Sequence, residues 1–355
     1  MEAATEAATA NPNTTGSATV ADLLPKGVEK YGDAPAIKFK DGSGTWITRS
    51  FADVGETVKR LSLGLIDLGI QRGDKVSILA NTRAEWTYAD FAALTAGATV
   101  VPIYQTNSPE ECQYVLENSD ARAVIVEDAE QLAKVEAVRD SLPKLEHVVI
   151  MEGEAPGAIS FADLAARGDG RDEAEWRERY SSVTPDDICT FIYTSGTTGP
   201  PKGCVISHGN YRAMLNMTAK ATVLEPGQTA YLFLPLAHSF ALLIQLGSFD
   251  IGGVLAYWER DPLKIVPNLA EVKPHYFPSV PRIFEKIYTT ATAAVAKEGG
   301  LKEKIFWWAI GVGAKVRELE RAGAAAVQLG FRAALCVAIR LEGRIAAAFV
   351  FLTWR

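Results

Sequence analysis

Between residues 51 and 150, short and predominantly apolar runs alternate with amphipathic helical patterns, and that alternation leaves few folds open. The runs at 75–80 (Lys-Val-Ser-Ile-Leu-Ala), 98–103 (Ala-Thr-Val-Val-Pro-Ile), 123–126 (Ala-Val-Ile-Val) and 147–150 (His-Val-Val-Ile) lack the period-two polarity of a strand with one wet face. Phe51, Val54, Val58, Leu61, Leu65 and Leu68 recur at three and four residues, Ser50 with Asp53 supplies an N-terminal cap, and Gly69 closes the run. Residues 85–96 form a second helical pattern, and Ser108-Pro109-Glu110-Glu111 opens a third with a Ser cap, Pro at the first position and Glu at the third. Strands buried on both faces and spaced by helices predict a mainly parallel sheet flanked by helices, an α/β fold.

The flanking segments differ. Residues 1–13 are rich in Ala, Thr and Asn and carry no basic residue, so a disordered tail over about 1–19 is expected rather than a leader. Residues 153–179 are rich in Gly and charge and read as a surface connection with one short helix at 161–166. At 355 residues, 48% apolar and 22% charged, the chain has the composition of a soluble protein with core enough for two lobes. Residues 301–355 carry nine Lys or Arg against four Asp or Glu, whereas the first 300 carry 27 against 39. The acidic body argues against a nucleic-acid partner. No run reaches the roughly 18 to 20 apolar residues that span a bilayer, so any membrane contact is expected to be peripheral; the basic end suits an acidic lipid surface but reads more simply as a solvated helix face. Four cysteines without metal-ligand spacing, two of them in apolar runs that read as buried strands, fit a reducing, cytoplasmic setting.

Residues 193–203, Tyr-Thr-Ser-Gly-Thr-Thr-Gly-Pro-Pro-Lys-Gly, concentrate three glycines, four Ser/Thr hydroxyls and a lysine directly after the apolar run that starts at Ile188. Glycines admit close approach of backbone N–H groups, hydroxyls add donors, and Lys202 adds a positive charge, a composition suited to an anion. A hydroxyl-rich surface turn shares that composition. The spacing is not that of a Walker A loop, because Pro201 precedes Lys202 and Gly203 follows it. Nor does any Gly-x-Gly pair acquire a third glycine at Rossmann spacing, since Ile47, Glu173 and Val316 stand there. A strand at 188–193 and another at 204–207 are expected to pair around the loop, with a helix from 207–210 towards Ala221.

The segment closely resembles the signature of the adenylate-forming (AMP-binding) enzymes. The resemblance implies that Thr194, Ser195, Gly196, Thr197, Thr198, Gly199 and Lys202 hold the phosphates of ATP, that Lys202 neutralises pyrophosphate oxygens, and that Thr194 approaches magnesium. Leu234-Pro235-Leu236-Ala237-His238 is similar to the family's Leu-Pro-x-x-His motif, which implies that His238 lies beside the carboxylate and adenylate. Val280-Pro281-Arg282-Ile283-Phe284-Glu285-Lys286 resembles a segment bordering the acyl tunnel of long-chain fatty acid–CoA ligases, and Asn81 to Trp86 and Gly97 to Tyr104 resemble earlier segments of the same enzymes. The aromatic cluster Phe306, Trp307 and Trp308 agrees with a lipid-facing or core role.

The implied architecture is two packed α/β lobes, at 20–180 and 181–329, followed by an Ala/Arg-rich tail at 330–355. The implied reaction joins a long-chain fatty acid, ATP and CoA through an acyl-adenylate, with ATP, magnesium and CoA as cofactors or co-substrates. Two alternatives stay open: a fatty acyl-AMP ligase or other adenylation domain, and a catalytically silent nucleotide- or lipid-binding fragment. Neither a Tyr-Gly-x-Thr-Glu nor a Thr-Gly-Asp motif occurs, and the resemblance runs from about residue 20 to 329. A truncated form, with a frameshift near Gly330, is therefore expected, and no oligomeric state follows.

Overall fold

The computed structural model describes residues 12–194, 200–221, 224–321, 338–341 and 344–348, in two compact units that divide after Arg260. The first unit opens with α1 (Leu23–Tyr31), β1 (Pro35–Lys40), β2 (Trp46–Ser50), α2 (Phe51–Asp67), β3 (Lys75–Leu79), α3 (Ala84–Thr95), β4 (Thr99–Ile103), α4 (Pro109–Asn118), β5 (Ala121–Val126), α5 (Ala129–Glu136) and β6 (His147–Ile150). It continues with β7 (Ile159–Ser160), α6 (Phe161–Gly168), α7 (Glu173–Ser181), β8 (Ile188–Thr194), β9 (Lys202–Ser207), α8 (His208–Ala221), β10 (Thr229–Leu232), α9 (Ser239–Asp250) and β11 (Val254–Tyr257). The caps expected from sequence are present. Ser50 and Ser108 each accept from the backbone N–H three residues on, and Asp53 and Glu111 return the bond.

Seven strands form one sheet in the order β7-β6-β5-β3-β4-β8-β9, parallel throughout except for β9, which turns back antiparallel to β8 at the edge. Every residue of β4 is buried, as its unbroken apolar run requires. One face of the sheet packs Leu79, Val101, Val124 and Val148 against Cys112, Val115 and Leu116 of α4 and Leu132 and Val135 of α5. Four strands form a second sheet in the order β10-β11-β1-β2. Here Ile37 and Lys38 run parallel beside Leu255 and Ala256. Each sheet thus draws strands from both sides of residue 180. Phe51, Phe249 and Phe91 join α2, α9 and α3, with ring centroids 5.4 and 4.9 Å apart.

Two segments are more ordered than expected. Residues 12–19 are tied to α1 and α9: Lys30 donates to the Pro12 and Thr14 carbonyls at 2.7 and 2.6 Å, Thr15 donates its backbone N–H to the Asp250 carbonyl at 2.7 Å, and Ser17 and Thr19 are buried. The disordered tail expected over 1–19 therefore does not reach Thr15. The connection at 153–179 contains the short strand β7 and a second helix, α7, whose Trp176 is buried. Cys204, expected in a buried strand, is exposed on the sheet edge, while Cys112 and Cys189 are buried. Cys336 lies outside the described residues.

The second unit holds α10 (Ile265–Val272), α11 (Pro281–Glu298), α12 (Gly300–Arg321), β12 (Ala338–Leu341) and β13 (Arg344–Ala348), the last two paired antiparallel. Among the described residues no helix is long and apolar enough to cross a membrane.

Candidate functional site

The pairing of β8 with β9 places the two ends of the glycine-rich segment side by side. Its register sets Thr190 opposite Ile206, Ile192 opposite Cys204 and, on the last rung, Thr194 opposite Lys202. Alternation along a strand puts these six side chains on one face. That face runs from the buried Thr190 and Ile192 to an exposed hydroxyl and an exposed ammonium at its end. Tyr193 lies on the opposite face, its ring over Gly203, where an added Cβ would come within 3.2 Å of the ring. Any larger residue there would push the ring aside by a few tenths of an ångström.

Because β8 is parallel to β3 and β4, Thr194 stands at the carboxyl end of the parallel strands, where open α/β sheets bind ligands. Ser195, Gly196, Thr197, Thr198 and Gly199 lie outside the described residues.

His238 caps α9. Its Nδ1 accepts from the Phe240 N–H at 3.2 Å, so the neutral imidazole carries its proton on Nε2, and the side chain is exposed. The turn before it is fixed by a residue that sequence reading did not single out. The buried Thr82 hydroxyl donates to the Leu234 carbonyl at 2.7 Å and accepts from the Leu236 N–H at 3.0 Å, while Trp258 donates to the Thr82 carbonyl at 3.2 Å. A lone threonine after a strand carries no signal of this in the sequence. The structure thus brings Thr194 and Lys202 together on one rung and sets His238 on a separate turn of the same unit.

Asn81 and Arg83, next to Thr82, belong to a buried polar network centred on Glu127. One carboxylate oxygen accepts from Asn81 N (2.7 Å) and Nδ2 (2.8 Å), and the other from Arg260 Nη1 (2.7 Å) and Arg83 Nη1 (3.2 Å). Burial pushes this carboxyl up, but the Asn81, Arg260 and Arg83 donors outweigh it and hold Glu127 below the usual carboxylate range. With both oxygens occupied, the network has a structural role in fixing the ends of β3 and β5.

The other histidines fall outside this chemistry. His208 opens α8 and is buried; its Nδ1 accepts from the Val20 N–H at 3.2 Å, and burial draws it down to about 4. His147 Nε2 lies 2.9 Å from the Leu68 carbonyl. Among the described residues no three His, Cys, Asp or Glu side chains cluster as a metal site. In the second unit, Pro281 starts α11, and Phe284 packs edge-on against Phe277 at 5.9 Å while staying half exposed.

The model of the AMP-binding enzyme family matches residues 24–343, past the expected limit at 329 and into the Ala/Arg-rich tail. The chain is 35% identical over 306 residues to the long-chain-fatty-acid–CoA ligase ACSBG2 of Xenopus laevis, a match covering 83% of this chain and 41% of that protein. It is 38% identical over 266 residues to the long-chain-fatty-acid–CoA ligase FadD15 of Mycobacterium bovis, covering 74% and 43%. The chain therefore spans less than half the length of these curated relatives. Among solved structures, the adenylation domain of a Mycobacterium chelonae carboxylate reductase superposes with a TM-score of 0.67 at 21% identity, covering 81% of this chain and 50% of that one. A long-chain-fatty-acid–CoA ligase from Archaeoglobus fulgidus gives 0.63 at 22% identity, covering 72% and 50%. At such identities the two structures speak to the fold, which is shared.

Proposed function

The chain belongs to the AMP-binding enzyme family, and from that premise we propose that it carries the phosphate-binding side of an ATP-dependent long-chain fatty acid–CoA ligase. The observation that carries this reading is the exposed Thr194–Lys202 rung, at the carboxyl end of a parallel strand, on the two stems of a Gly- and Thr-rich connection. A fatty acid carboxylate oxygen attacks the α-phosphorus of ATP, the bond to pyrophosphate breaks, and an acyl-adenylate forms. The CoA thiol then attacks the acyl carbon, loses its proton, and AMP leaves.

The first step brings two anions together and builds charge on pyrophosphate. Lys202, with the donors expected of Ser195, Gly196, Thr197, Thr198 and Gly199, offsets that charge. His238 presents its Nε2–H outward and orients the carboxylate by donating to it. Thr194 would offer magnesium a single hydroxyl, which suits an ion that holds few protein ligands, and the ion would neutralise phosphate charge there.

The fatty acid identity rests on the relatives, which are long-chain-fatty-acid–CoA ligases, and on residues 280–286. Exposed Leu301, Trp307 and Trp308 beside Lys302 and Lys304 support a cytosolic protein that meets anionic lipid peripherally. Titration calorimetry of the full chain with MgATP tests the site, and palmitate-dependent AMP release in the presence of CoA tests the reaction. Saturable MgATP binding that is lost in Lys202→Met supports the phosphate role. No binding at millimolar nucleotide overturns it.

A further inference from the structure

One face of α4 reaches both stems of the glycine-rich connection. Tyr114 and Asn118 stand four residues apart, one helical turn, and so project from the same side. The Tyr114 hydroxyl donates to the Pro201 carbonyl at 3.0 Å, on the residue immediately before Lys202. The Tyr193 hydroxyl, from the residue immediately before Thr194, donates to Asn118 Oδ1 at 2.7 Å. The two rings meet edge to face, with centroids 6.3 Å apart, and both lean on the core beneath α4. Burial, with Tyr114 nearby, pushes the Tyr193 phenol up to about 12, so it stays a donor throughout the neutral range.

The helix that supplies these contacts is itself firmly built. A reciprocal Ser108–Glu111 capping box and Pro109 fix its start, and Cys112, Val115 and Leu116 are buried in the sheet's core. We propose that Tyr114 and Asn118 are positioning residues that clamp the two stems from the face opposite the Thr194–Lys202 rung, and so set where the hydroxyl and ammonium meet phosphate. This rests on the reading of that rung as a phosphate site, since neither residue touches the nucleotide itself. Without the clamp, β9 is an edge strand held from one side only, and Lys202 is its first residue.

The test uses the full chain, four single variants and one double variant. Tyr114→Phe and Asn118→Ala each remove one hydrogen bond, Tyr193→Phe removes the second from its other end, and Asn118→Asp keeps an oxygen acceptor. Two quantities are read: amide hydrogen exchange at residues 202–204 and MgATP affinity by calorimetry. Loss of one such bond is expected to weaken MgATP about fivefold to tenfold and to speed exchange at 202–204 by a similar factor. Asn118→Asp should restore both, and the Tyr193→Phe/Asn118→Ala double variant should be no worse than either single one.

Unchanged affinity in Tyr114→Phe and Asn118→Ala, with or without faster exchange, overturns the positioning role. If the unsubstituted chain takes up no MgATP, the phosphate reading itself has failed. Exchange at 202–204 then decides the clamp alone: acceleration in the variants upholds it, and unchanged rates overturn it.

Discussion

Thr194 and Lys202 face each other across the final rung of an antiparallel pair, a hydroxyl and an ammonium brought onto one face of a sheet from two ends of a connecting segment. Neighbours on that face, Thr190 and Ile192, are buried, so the rung is where the sheet's core gives way to water. An anion bound there is met by fixed strand geometry and not by two independent loops. That economy of motion is what electrostatic stabilisation of a charged leaving group requires.

Replacing Lys202 by Met should therefore separate binding from stability. The side chain is exposed, and substitutions at such sites usually move stability by less than about 0.5 kcal/mol. A charge-assisted bond to phosphate is worth roughly 1.5–3 kcal/mol, so MgATP or pyrophosphate affinity should fall about tenfold to hundredfold. Calorimetry beside a thermal melt checks this. A variant that melts many degrees lower would mean that Lys202 holds the hairpin instead.

His238 caps a helix and, on the proposed reading, also orients the carboxylate, and substitution can divide the two. As the cap of α9 it accepts from the Phe240 N–H, and truncation to Ala should cost roughly 1 kcal/mol. Asn is a strong cap but has no imidazole, so His238→Asn should keep the urea midpoint near that of the parent. Palmitate-dependent turnover should stay low in both variants. Recovery of turnover in the Asn variant would reduce His238 to a helix cap.

The four apolar runs in residues 75–150 became β3 to β6, and the Ser50 and Ser108 caps formed, because parallel strands and capping boxes are written in local pattern. The β8–β9 pair was legible for the same reason: two apolar runs flank one glycine-rich segment. Partnership over distance was not. Nothing near Ile37 announces that it will lie beside Leu255, because that choice depends on which sheet edge is free once the rest has packed. Thr82, Tyr114 and Asn118 were equally silent, since each acts through hydrogen bonds to groups far along the sequence.

Close helix packing gives a third expectation. An added Cβ on Gly64 in α2 would sit 2.0 Å from the Leu164 carbonyl oxygen, and one on Gly168 in α6 would sit 2.0 Å from the Arg60 carbonyl oxygen. Backbone cannot yield as a side chain can. Helix propensity favours Gly64→Ala by about 1 kcal/mol, but the clash should outweigh it and leave a net loss of about 1–2 kcal/mol. Urea denaturation of Gly64→Ala and Gly168→Ala measures it. Either variant equalling the parent would show that α2 and α6 can separate at little cost.

The pH dependence of stability should come from two buried groups that act in opposite directions. His208 is drawn down to about 4 by burial, so the fold holds it neutral while the unfolded chain takes a proton below about 6.5. Its effect is a loss of stability as pH falls from about 6.5 towards 4. Asp90, buried and accepting from Gln245 Nε2 at 2.7 Å, is pushed up to about 7 by burial. The fold therefore binds a proton that the unfolded chain has released, and stability is lost as pH rises from about 4 to 7. Each effect is on the order of 3 kcal/mol, and over pH 4 to 6.5 they oppose each other. Asp90→Asn keeps the acceptor for Gln245 and removes the ionisation. It should be more stable than the parent at pH 8, no more stable at pH 4, and should expose the rising slope due to His208. His208→Asn should expose the falling slope due to Asp90. Urea midpoints at pH 4.5, 6 and 8 decide the matter, and parallel profiles for Asp90→Asn and the parent would rule out a protonated Asp90 in the fold.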